Sequence, residues 1–251
     1  MYTKVKTTEE IESMRIAGKM CSDILRLLRK TVSPGMSSKE LADIAAKEIK
    51  SFGASAAFLG YNGFPDVICI SINDEVVHGM PSSKKIVRAE DIISFDLGVT
   101  YQKMIVDSAI SVLVESSDTQ KIKLLDTTRL SLKKGIESVK EGCTTGDIGA
   151  SVEKVLAERR LGIVRDLVGH GVGHQVHEDP NIPNYGAPRS GPVLQAGMTI
   201  AIEPMATLGA ESVYIDTDGW TVRTLDKSLA AHFEQTVLVT KNGYEVLTPF
   251  K

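Results

Sequence analysis

Apolar positions along the chain alternate between helical and strand-like periods. Ile11, Met14, Ala17, Cys21, Leu25 and Leu28 recur at the spacing of one helix face. Thr7 and Glu10 stand in capping-box relation ahead of that face, and Ser33-Pro34-Gly35 ends it. A second box, Ser37 to Glu40, opens a helix carrying Leu41, Ile44, Ala45 and Ile49. Residues 67–72, 92–100 and 104–114 then read as strands, the last two pairing as a hairpin around Tyr101-Gln102.

The pattern then begins again. Ile122, Leu125, Leu132, Ile136 and Val139 mark a long helix that Glu141-Gly142 breaks. Thr144 to Asp147 repeats the capping box and starts a helix through Val152, Val155 and Leu156. Gly142 and Thr144 stand 107 residues after Gly35 and Ser37, and the same offset carries Leu41 to Ile148 and Asp96 to Glu203. An offset this long indicates a duplicated half rather than a solenoid. Asp107 maps to Tyr214, which is no carboxylate, so residues 212–227 read as a longer excursion in the second hairpin, with Glu234 beyond it. No low-complexity linker divides the chain. A single domain over residues 1–251 is expected, with internal halves at about 1–115 and 116–251.

Composition narrows the function class. The 251 residues are 42% hydrophobic, enough for a large core, and the net charge of −3 is spread along the whole length. No basic block points to nucleic acid, and no apolar run is long enough to cross a membrane. The first nineteen residues lack the apolar core of a secretory signal. Cys21, Cys69 and Cys143 form neither a C-x-x-C pair nor a disulfide framework, so buried thiols in a reducing cytoplasm are expected.

All five histidines lie at or after position 78, and three fall between 170 and 177. The glycines around them are spaced G-x-G-x-G with no helix-forming run after them, which excludes a dinucleotide loop. His177-Glu178 is followed by Asn181 where a zincin needs histidine, and no G-x-S-x-G elbow supplies a serine nucleophile. Four carboxylates stand in apolar, strand-like surroundings: Asp96 in IISFDLGV, Asp107 in MIVDSAI, Glu203 in TIAIEPM and Glu234 in AHFEQTVLV. Each alone is ordinarily a salt-bridged or half-exposed strand residue. Four together, with no arginine or lysine nearby on the strands of Asp96, Asp107 or Glu203, call for cations. Four carboxylates with one or two histidines make a mostly oxygen donor set, suited to manganese, iron or cobalt.

YNGFPDVICISINDEVVHGMP, GHGVGHQVHEDPNIPNYG, GMTIAIEP and WTVRTLDKSLAAHFEQTVLVT together resemble the type I methionine aminopeptidases, in their minimal form made of the catalytic domain alone. The resemblance runs from the first helix to residue 248. It implies an α/β pita-bread fold, two pseudo-symmetric halves with a curved antiparallel sheet backed by helices, enclosing a site for two divalent ions (cobalt, manganese or iron). By the same resemblance, Asp96, Asp107, His170, Glu203 and Glu234 match the family's metal ligands. His78 and His177 match its two non-ligand histidines at the scissile amide, and Tyr61, Phe64, Cys69 and Trp220 its methionine pocket. The implied chemistry is attack by a metal-bridged hydroxide, with Glu203 moving the proton, His177 on the carbonyl oxygen and His78 on the amide nitrogen. The substrate's α-amine would bind one metal, which limits cleavage to the first residue.

Four positions depart from the family's commonest pattern. Asn62 stands where histidine is frequent, His174 where arginine is, Val176 for a bulkier aromatic, and Val106 for a small residue. His174, four residues after His170, would be an extra ligand on a helix; a surface or supporting role is expected instead. The expected substrates are nascent polypeptide N-termini with a small second residue, met in the cytoplasm by a monomer through transient ribosome contact, with no membrane and no specific nucleic acid. The chain's own bulky Tyr2 implies that Met1 is retained. The alternatives are an X-prolyl aminopeptidase or prolidase of the same fold, which usually carries an extra N-terminal domain, and a non-catalytic relative, which typically loses ligands. A type II enzyme would carry a long insertion before its last glutamate, where this chain has only thirty residues between Glu203 and Glu234.

Overall fold

All three capping boxes form. In the computed structural model, which describes residues 5–250, Thr7 caps helix α1 (Thr8–Thr31), Ser37 caps α2 (Ser38–Ser51) and Thr144 caps α4 (Thr145–Glu158), each reciprocated by its acidic third residue. Helix α3 (Thr119–Glu137) is capped by Asp118 and ends before the Glu141-Gly142 breaker. Met1 and Tyr2, on which the retained methionine rests, lie outside the described residues.

The helices back a nine-stranded sheet in which every strand pairing among the described residues is antiparallel. From one edge its strands run Ser55–Ala56, Ile92–Tyr101, Met104–Leu113, Glu234–Thr240, Thr199–Ile202, Gly169–Gly171 and Glu178–Ile182. Cys69–Ile72 and Gly243–Val246 pair with the Ile92–Tyr101 and Glu234–Thr240 strands off that path. The two halves of the chain meet where Glu234 pairs with Ala109 and Gln235 with Ser108. The hairpin expected around Tyr101-Gln102 turns one residue later: Tyr101 still pairs with Met104, and Gln102 and Lys103 take positive φ of 46° and 68°. Two positive φ values give the twist that a two-residue hairpin turn needs, and hydrophobic patterning carries no signal for them.

The duplication is visible in the backbone. Helices α2 and α4 begin at Ser38 and Thr145 and end at Ser51 and Glu158, which keeps the offset of 107 at both ends. An isolated bridge between Ser37 and Ile86 recurs, at the same offset, between Thr144 and Val193. The excursion at residues 212–227 is itself a hairpin, Val213–Ile215 with Val222–Thr224, and it crosses to the first half by pairing with Glu75–Val77. Arg223 ties that contact through Asp74, Glu75 and Asp216.

Alternation along the two long strands separates core from site. Phe95, Leu97 and Val99, with Val106, Ile110 and Val112, pack in the main core with α1 and α3. Ser94, Asp96, Gly98, Asp107, Ala109 and Ser111 therefore share the opposite face. Val106 is a core residue and takes no part in that face. Among the described residues, no helix is long and apolar enough to cross a membrane, and all three cysteines are buried thiols.

Candidate metal centre

Strand register brings the acids together. Cys69 pairs with Asp96, Asp96 with Ala109, and Ala109 with Glu234, so a row crosses four strands with a single methyl group between the two carboxylates. Asp107 pairs with Gly98, which places it diagonally beside both Asp96 and Glu234 on the same face. Gln235 pairs with Ile202 and His170 with Ala201, and these contacts bring Glu203 and His170 to the other side of Glu234. Donor atoms of Asp107, His170 and Glu234 lie within 4.8 Å of one another. Nε2 of His170 is 3.5 Å from Glu203 Oε1 and 4.0 Å from Glu234 Oε1.

Among the described residues, no protein cation compensates the cluster. Oδ1 of Asp96, Oδ1 of Asp107 and Oε1 of Glu234 are buried without a hydrogen-bond partner among the described residues. No lysine or arginine among those residues forms an ion pair with the four acids. Burial, then mutual repulsion, holds Asp96, Glu203 and Glu234 well above the usual carboxylate range. Burial lifts Asp107 to about 7. Orphaned acidic oxygens beside an imidazole form a donor set that divalent cations fit. Nδ1 of His170 donates to the Gly171 carbonyl at 2.9 Å, which leaves Nε2 as the free donor.

The remaining histidines divide by neighbourhood. His177 packs edge-on against His170 with ring centroids 4.3 Å apart, and its Nδ1 lies 2.9 Å from the Tyr61 hydroxyl. His78, in a left-handed turn with φ 57°, faces the same space. Burial, with the nearby His177, holds it down at about 4. His174 is not on a helix: it sits in the turn between Gly169–Gly171 and Glu178–Ile182, with Nε2 2.7 Å from Glu10 Oε1. It braces α1 against this turn, the supporting role expected of it.

Above the acids lies a cavity of about 260 Å³. Tyr61, Phe64, Cys69 and Trp220 line it, joined by Phe58 and Val176. Phe64 and Trp220 meet edge-on at 5.3 Å. Phe58 reaches this wall because residue 98 is glycine; a Cβ there would come within 2.7 Å of its ring. Asn62, in a left-handed conformation, lies at the mouth. His232 is the site residue that sequence reasoning passed over. It is 1% exposed, with neither ring nitrogen hydrogen-bonded among the described residues and Nε2 3.5 Å from Glu203 Oε2. Its one sequence signal is its place two residues before Glu234, on the same side of an extended segment.

A model of metallopeptidase family M24 matches residues 12–241. A methionine aminopeptidase of Clostridium acetobutylicum is 42% identical over 244 residues, covering 97% of this chain and 98% of the relative. The crystal structure of a methionine aminopeptidase from Thermotoga maritima superposes with a TM-score of 0.96 at 41% identity, covering 98% of this chain and 99% of that one. A prolidase from Pyrococcus furiosus is similar in fold alone, with a TM-score of 0.79 at 24% identity, covering 99% of this chain and 66% of that one. The fold is thus the pita-bread fold of the metallopeptidases. The chain belongs to metallopeptidase family M24 and, within it, to the methionine aminopeptidases.

Proposed function

We propose that this chain removes the N-terminal methionine from nascent proteins and peptides whose second residue is small. The observation that carries the reading is a set of orphaned buried acids beside His170 at the floor of an apolar cavity. Asp96, Asp107, His170, Glu203 and Glu234 would hold two divalent ions, drawn from cobalt, manganese or iron. When bound, the ions supply an acidified water as nucleophile and neutralise the four carboxylates.

The protein's own groups do the rest. Glu203, partly open to the cavity, accepts the proton of the attacking water and returns it to the leaving amine. His177 donates to the carbonyl oxygen as charge develops there, and His78 orients the scissile nitrogen. Tyr61, Phe64, Cys69 and Trp220 enclose the methionine side chain, which the cavity's apolar walls match. The sheet that runs unbroken across both halves supports one catalytic domain, and the free thiols accord with a cytoplasmic location, where it would act as a monomer on chains at the ribosome.

Protein reconstituted with manganese, iron or cobalt should release methionine from Met-Ala-Ser and spare Met-Lys-Ser. No release with any of the three metals would overturn the proposal, and preference for Xaa-Pro peptides would replace it with a prolyl-specific reading.

A further inference from the structure

The two glutamates of the site are flanked by two imidazoles in matching fashion. His170 Nε2 lies 3.5 Å from Glu203 Oε1 and 4.0 Å from Glu234 Oε1. His232 Nε2 lies 3.5 Å from Glu203 Oε2 and 4.0 Å from Glu234 Oε2. Each histidine thus stands in the same relation to one oxygen of both carboxylates. These separations exceed the usual N–H···O hydrogen bond of about 2.7–3.2 Å. They fall in the range of about 3–4 Å expected of two donors that each lie about 2.1 Å from one ion.

The direction of the His232 side chain is fixed by the backbone beneath it. Its main-chain N–H donates to Ser111 Oγ, and Ser111 Oγ donates to its carbonyl, both at 2.8 Å. Two residues on, the Glu234 carbonyl accepts from Ser108 Oγ at 2.8 Å. Serines of the neighbouring strand therefore clamp this segment on either side of Phe233, and the imidazole is aimed at the acids. Buried polar groups in folded proteins nearly always find a partner, yet both ring nitrogens of His232 lack one among the described residues.

We propose that His232 is a second imidazole donor to the metal centre, through Nε2, at the oxygens of Glu203 and Glu234 that His170 does not face. The inference rests on the metal-centre reading above. Two divalent ions balance four ionised carboxylates, so a further neutral donor adds a bond without adding charge. Imidazole also shifts the preference of an oxygen-rich site toward iron, cobalt and zinc and away from magnesium and manganese.

The test uses the full chain, stripped of metal and titrated with cobalt(II). Proton spectra of the cobalt form count ligating imidazoles, because each ring keeps one exchangeable, hyperfine-shifted N–H. The expected count is two in the wild type, and this stands without any variant. His232→Gln and His232→Asn should each retain one such signal and bind the weaker cobalt ion at least tenfold less tightly by calorimetry. Metal-free unfolding midpoints close to wild type are expected for both variants, since neither ring nitrogen has a hydrogen-bond partner among the described residues. A single shifted N–H in the wild type overturns the proposal. So does an affinity loss that leaves the count unchanged, which would make His232 only a hydrogen-bond partner of Glu203. If the wild type binds no cobalt at all, the metal-centre reading fails with it.

Discussion

The hydroxyl of Tyr61 and Nδ1 of His177 are 2.9 Å apart, joining a pocket wall to a histidine assigned to the reaction. With Tyr61 as donor, the ring proton resides on Nε2, the nitrogen available to a substrate carbonyl. Burial holds His177 below its ordinary value, so the neutral ring is the one that works near pH 7. Tyr61→Phe should leave the fold intact and lower kcat/KM about tenfold, the cost of losing one orienting hydrogen bond. His177→Ala should lose about 100-fold or more in kcat. Steady-state kinetics on Met-Ala-Ser compare the two, and an unaffected Tyr61→Phe enzyme would refute the coupling.

The Trp220 ring meets Phe64 edge-on in the apolar wall of the cavity. Trp220→Ala should raise KM for Met-Ala-Ser about tenfold while kcat changes little, because apolar area is lost from the pocket and not from the reacting centre. A fall confined to kcat would contradict that assignment.

Lys6 and Glu178 form a buried ion pair at 2.8 Å. The Glu178 carboxylate also accepts the backbone N–H groups of His174 and Gln175, in the turn that leads to His177. Lys6→Met would strand a buried carboxylate and should destabilise the protein by about 3 kcal/mol. Denaturant unfolding measures it, and a loss under about 1 kcal/mol would mean the backbone donors suffice.

Metal-free protein should lose stability as pH rises above about 6.5. Asp96, Glu203 and Glu234 titrate well above the usual range in the folded state and Asp107 at about 7, whereas unfolding returns them to about 4. Between those limits the folded state holds more protons, so rising pH favours unfolding. Burial keeps His78 at about 4, His170 and His232 at about 3, and His177 lowered, so falling pH through about 6.5 also favours unfolding. The trends offset one another between about 4 and 6.5; above that the acids alone remain, each costing about 1.4 kcal/mol per pH unit while still protonated. Thermal unfolding from pH 6.5 to 9 should show the decline, and added divalent metal should flatten it. A metal-free midpoint that rises over this range would contradict the account.

The helix starts at Thr7, Ser37 and Thr144 were legible because a capping box is complete within four residues. The 107-residue offset was legible for the same reason, as it repeats local signals. The hairpin turn was misplaced by one residue because positive φ at Gln102 and Lys103 leaves no mark in hydrophobic patterning. His174 showed helical spacing from His170, but a strand and turn send it to Glu10 instead.

By itself the sequence determined the helix caps, the duplication and a set of acids in strands too apolar to carry them unaided. Resemblance to a family then gave those acids expected partners. Only the tertiary structure decided which atoms meet. Register across the sheet sets Ala109 between Asp96 and Glu234, and serine clamps turn His232 toward the same carboxylates. The physical reason is that strand pairing between distant segments is fixed by packing over the whole core, so no short stretch of sequence contains it.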